Sequence, residues 1–143
     1  MKSNNKDPKT ETAKASANHA ARVILRTALK GSLATLDRLG GHPYASLVTV
    51  ATEMDGALVL LISKLALHTQ NIIVDSKASL LLDASGADGD PLAGGRVTLI
   101  GRVVKTESTA ARRRFLARHP EALMYADFPD FGGGEGGGRP VRK

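Results

Sequence analysis

Ser63, His68, Thr69 and Asn71 gather where an apolar strand runs into the start of a helix. The first turn of a helix presents backbone N–H groups with no partner inside the helix, and hydroxyls and an imidazole there add donors. That combination suits an anion. A phosphate needs several donors converging from different segments, and Ser46, on the strand that the Asp55-Gly56 turn folds back beside Ser63, supplies another. Leu47, Val48 and Ile62 on the same two strands offer an apolar bed for a planar heterocycle next to the phosphate. The competing reading is structural, since a lone histidine at a helix start is more often a cap or a half-buried polar residue.

Other chemistries are poorly supported. His19, His42, His68 and His119 are scattered, and none has a partner at the spacing of a zinc helix. No serine sits in a G-x-S-x-G turn, and with no cysteine in the chain, disulfides and thiolate metal sites are excluded. The run Gly132 to Gly138 is not a phosphate loop, because no strand delivers the chain to it and no helix leaves it.

The elements that must position these residues can be read from hydrophobic period. Ala21, Ile24, Leu25, Ala28 and Leu29 form one helical stripe from about Asn18, flanked by a cationic row of Arg22, Arg26 and Lys30. Gly31 suits a left-handed helix stop. Short strands follow over 33–37, 44–53 and 57–63, with a helix start near His68 and a buried strand at Leu80-Leu81-Leu82. The run 96–105 is a fifth strand in which Gly101 suggests a bulge. Ser108 caps a second terminal helix that carries Arg112-Arg113-Arg114 and ends by Pro120. Antiparallel hairpins, helices at both ends and one inserted helix predict an α+β, mainly β fold. They argue against a doubly wound sheet.

The chain of 143 residues fits one domain. Three segments are expected: a disordered basic tail over 1–17, a folded domain over 18–131 and a glycine-rich disordered tail over 132–143. The net charge of +6 resides in the flanks: residues 1–30 hold seven Lys/Arg against two acids, whereas 31–111 hold six against eight. No apolar run is long enough for a membrane helix and the amino end lacks a secretory signal, so a cytoplasmic protein is expected.

The segments G-H-P-Y-A-S-L-V (41–48), I-S-K-L-A-L-H-T-Q-N (62–71) and G-R-V-T-L-I-G-R-V (95–103) together resemble the FMN-binding split barrels related to pyridoxamine 5′-phosphate oxidase. Within them the chain looks most like the haem-utilisation, HugZ-type branch. The resemblance covers roughly 20–131 and implies a small antiparallel split β-barrel with flanking helices, acting as a homodimer with FMN at the subunit interface. It implies that the strand holding Ser46, Leu47 and Val48 runs along the flavin, with Ile62 and Ser63 on its neighbour. Ser46 stands where the oxidases have a phosphate-binding arginine, and Ser63 matches a hydroxyl near the ring or ribityl chain. His68 and Thr69 match the pair that grips the phosphate, Asn71 lies just behind, and Arg96 falls at a ring-contacting glutamine. The phosphate seat is less cationic than in the oxidases, and the glycine-rich end replaces the last strand or strands, so the barrel is expected to lack them.

These readings lead to an FMN-binding protein of the oxidoreductase type. No residue is an evident acid–base catalyst, which leaves the substrate and any enzymatic activity open. The alternative is a protein that binds or oxidatively opens haem, for which His68 or His119 would be the axial ligand. A basic module for nucleic acid ranks last. Aromatic residues make up only 3% of the chain, leaving few stacking platforms, and the basic residues lie outside the specific motif.

Overall fold

A computed structural model describes residues 7–86, 88–126 and 131–137, the last stretch as backbone. The order is α1 (Pro8–Thr27), β1 (Lys30–Leu36), β2 (Pro43–Thr52), β3 (Leu58–Ser63), α2 (Leu67–Val74), β4 (Lys77–Asp83), β5 (Arg96–Lys105), α3 (Thr109–Arg118), a 3₁₀ turn over Pro120–Met124, and β6 (Phe131–Gly137). Six strands form a closed antiparallel barrel in the order β1-β2-β3-β6-β5-β4, with β4 returning to β1. The fold is α+β, a small antiparallel barrel with flanking helices.

The period-two pattern explains the core. Leu33, Val48, Val50, Leu58, Leu60, Ile62, Leu80 and Leu82 fill the barrel, joined by Ile24 from α1. The opposite face of β3 and the end of β2 bury Val59 and Ala51 against Ala111 and Phe115 of α3. Ser108 caps α3 as expected, its Oγ accepting from the Ala111 N–H at 3.1 Å. Gly56 takes φ +90° in the turn between β2 and β3, a conformation that suits glycine.

Four expectations are corrected. Residues 8–17, expected in the disordered tail, belong to α1. Asp7 caps it by accepting from the Lys9 N–H at 3.0 Å, and Pro8 occupies the first turn, where its missing N–H costs nothing. Residues 1–6 lie outside the described residues. Gly31 is no helix stop. It lies buried in β1, where an added Cβ would meet Leu82 Cδ2 at 2.7 Å and the Leu81 carbonyl oxygen at 2.9 Å, so close strand packing requires the glycine. Gly101 makes no bulge and pairs in register with Ala78. Finally, residues 131–137 form β6 between β3 and β5, so the barrel does not lack a closing strand. Glycine carries no side-chain period to read, but the open edges of β3 and β5 need backbone partners, and a glycine backbone can supply them. Residues 138–143 of the expected tail lie outside the described residues.

The inserted helix α2 is anchored through Asn71, which is fully buried. Its Oδ1 accepts from the Arg38 N–H at 3.0 Å, and its Nδ2 donates to the buried Thr35 Oγ1 at 3.1 Å. Asn71→Ala takes this partner from the buried Thr35 hydroxyl and the part-buried Arg38 N–H. It should lower stability by roughly 2–4 kcal/mol in urea unfolding. A midpoint within error of wild type would show that α2 is held by its apolar contacts alone.

Candidate functional site

Strand register brings the candidate residues together unevenly. Ser46 pairs with the core residue Leu33 and shares the inward face of β2 with Val48 and Val50. At that end of the barrel α2 packs on β1 and β2, and Ser46 Oγ lies 3.0 Å from His68 Nδ1. The helix start there is bare. Ala66 stands at the N-cap with no side chain able to accept from the first turn.

Two buried polar atoms at this point lack a hydrogen-bond partner among the described residues: His68 Nε2 and Thr69 Oγ1. They belong to successive residues in the first turn of α2. Orphaned buried polar atoms are uncommon, and each calls for an explanation. The Ser46–His68 bond fixes the ring without settling its tautomer. If Ser46 donates to Nδ1, Nε2 carries the proton. If Nδ1 donates to Ser46, Nε2 keeps a free lone pair.

The other expected residues divide. Asn71 is adjacent, but both ends of its amide are engaged in holding α2. Ser63 lies on the opposite face of the barrel wall from Ser46. It follows the alternation of Val59 and Leu61 toward α3, and its Oγ accepts from the Leu65 N–H at 3.2 Å. Leu47 faces outward and is 69% exposed, whereas Val48 and Ile62 lie in the core. These three do not make one flat bed. Arg96 is exposed on β5, separated from Ser46 by β1 and β4, and donates to the Leu92 carbonyl at 3.2 Å. Thr35 had no signal in the sequence, yet it is the partner through which Asn71 sets the position of His68. His119 is buried and spoken for: its Nε2 lies 2.8 Å from the Val50 carbonyl, and its ring packs on Phe115. Among the described residues no group of three His, Asp or Glu side chains could hold a metal ion.

The closed antiparallel barrel with one helix inserted between β3 and β4 defines a split-barrel fold. The family model described as CREG, β-barrel matches residues 11–132, and the chain belongs to that family. It is 35% identical over 114 residues to the chloroplast haem oxygenase HOZ of Arabidopsis thaliana, a match covering 77% of this chain and 34% of that protein. A haem-binding protein from Mycobacterium smegmatis is 38% identical, with a TM-score of 0.77 over 84% of this chain and 50% of the other. This chain thus spans about a third of the curated relative and half of the mycobacterial protein. A pyridoxamine 5′-phosphate oxidase-type protein from Listeria innocua shares the fold, with a TM-score of 0.67, 17% identity, and coverage of 88% and 95%. No helix among the described residues is long and apolar enough to cross a membrane.

Burial pushes the His68 imidazole below its ordinary value of 6.5. The unfolded chain therefore takes up this proton at a higher pH than the folded one. Stability is unaffected above about pH 7 and falls as pH drops through 6.5 toward the lower folded value. Between about pH 7.5 and about pH 5.5 the urea midpoint of wild type should fall further than that of His68→Gln. Parallel profiles would mean that His68 is not desolvated.

Proposed function

We propose that this chain binds haem, as substrate or cargo, in a homodimer with the ligand near the subunit interface. The observation that carries this reading is His68. Burial disfavours its charged form, Ser46 Oγ lies within hydrogen-bond distance of Nδ1, and Nε2 has no partner among the described residues. A metal-ligating histidine is commonly held in this way, with its second nitrogen donating to a neighbouring oxygen so that ring orientation and tautomer are set. Two of the relatives above 30% identity, one named a haem oxygenase and one a haem-binding protein, support the same ligand. The iron would take the Nε2 lone pair, after a shift of the first turn of α2 that uncovers this buried atom.

The homodimer is supported by the outer face of β2, β1, β4 and β5. Register places Leu47, Ser32, Leu81 and Thr98 in one row, and Ala45, Ala34, Ser79 and Ile100 in the next. Leu47, Leu81 and Ile100 are exposed among small neighbours, a surface that a second copy would cover.

A flavin is the second reading, favoured by Thr69 Oγ1. A hydroxyl without a partner beside an uncapped helix start is a donor for the phosphate of FMN, and His68 as the Nε2–H tautomer would be another. A bound flavin would supply redox chemistry, and this chain's part would be to hold and orient it.

Hemin titration separates the two. Wild type should give a saturable, shifted Soret band that His68→Ala moves and weakens about tenfold or more. A purely additive hemin spectrum, or a variant indistinguishable from wild type, would reject the haem reading. Quenching of FMN fluorescence by the same sample would then favour the flavin.

A further inference from the structure

Three guanidinium groups from two helices converge on the opposite end of β2. Arg26, in the last turn of α1, donates through Nη2 to the Met54 carbonyl at 3.1 Å. Arg114 of α3 donates through Nε to the Thr52 carbonyl at 2.7 Å and through Nη1 to Met54 Sδ at 3.2 Å. Arg118, at the end of α3, donates through Nη2 to the Thr27 carbonyl at 2.6 Å. Together they line a cleft of about 250 Å³ whose remaining walls are Ala51, Thr52 and Ala117, all too small to fill it.

The acceptors of these bonds are neutral. Among the described residues, no carboxylate pairs with any of the three arginines. Each guanidinium has five N–H donors, and the bonds above occupy one on Arg26, one on Arg118 and two on Arg114. Three like charges held around one hollow repel each other, and the carbonyl contacts hold the guanidinium planes in place. A multiply charged oxyanion entering the hollow would meet oriented forks and relieve that repulsion, and planar guanidinium donors match phosphate oxygens well.

We propose that this cleft binds a phosphate-bearing small molecule through a phosphate or diphosphate group with at least two negative charges. It is separate from the His68 site. Thr52 and Ser46 are six residues apart on β2, about 20 Å of strand. A concave pocket without aromatic walls suits a compact anion better than a nucleic-acid strand, whose bases need stacking surfaces.

Calorimetric titration of the full chain with inorganic pyrophosphate, at about 0.15 M ionic strength to screen loose surface attraction, tests this. One saturable site is expected. The double variant Arg26→Gln/Arg118→Gln should weaken it about tenfold or more, since each lost contact is a charge-assisted bond. Arg118→Lys, which keeps the charge and loses the fork, should fall between, while His68→Ala should bind pyrophosphate as wild type does. Phosphatidylcholine vesicles doped with a phosphoinositide form a second arm. Vesicle retention that pyrophosphate competes away identifies a lipid as the source of the phosphate, and pyrophosphate binding without retention identifies a soluble one. No saturable pyrophosphate binding by wild type, equal affinity in the double variant, or retention of single-stranded DNA that pyrophosphate does not displace would overturn the proposal.

Discussion

The amide of Asn71 is the constraint on which the geometry around His68 depends. It lies fully buried between α2 and β1, one end accepting from the Arg38 backbone and the other donating to Thr35. A short helix of eight residues has little stability of its own, so its position must come from tertiary contacts. An amide that must satisfy both a donor and an acceptor fixes the rotation of α2 more narrowly than apolar packing would. Once that rotation is set, His68, three residues earlier and so on a neighbouring part of the same helical face, can only meet the mouth of β2. Ser46 is the side chain waiting there.

Much of the barrel was legible because its strands obey a two-residue period. The run 96–105 was read with its boundaries intact, and β2 and β3 within a residue or two. The cap at Ser108 was legible for a local reason, a hydroxyl immediately before a helical run. What failed to show was whatever depended on distant chain. The strand β6 has glycine at five of its seven positions, and its structure comes from the edges it joins. Gly31 looked like a helix stop because the residues that crowd it, Leu80 to Leu82, lie some fifty positions away. The start of α1 was legible in Asp7-Pro8 and was missed because the polar residues after it show no apolar stripe.

The candidate site divides along the same line. Motif and hairpin logic puts His68 near Ser46, and the structure brings their side chains to 3.0 Å. Ser63 was placed with them on proximity alone, and strand alternation turns it to the other face, under the influence of α3. Leu47 parts company with Val48 for the same reason. The arginine cleft shows the converse. Arg26 was visible in a row on α1 and Arg114 in a triplet on α3, whereas Arg118 belonged to neither, and convergence of two helices on the turn after β2 is a tertiary fact that neither segment carries.

The Ser46 hydroxyl leaves both neutral tautomers of His68 open. A hydroxyl donates and accepts, so its bond to Nδ1 survives either tautomer. A carboxylate at that position would force Nδ1–H and commit Nε2 to accepting, and would also draw the imidazole toward its charged form. A lysine would do the reverse and leave Nε2 as a donor only. Serine imposes neither, and burial disfavours the imidazolium by making a charge costlier there. The ring is therefore oriented and uncommitted in tautomer: on the proposed readings a haem iron would need the Nε2 lone pair, and a phosphate oxygen would need the N–H. A serine at this strand position thus leaves the tautomer to the surroundings, whereas a fixed cation there would hold Nε2 as a donor and add charge toward a phosphate.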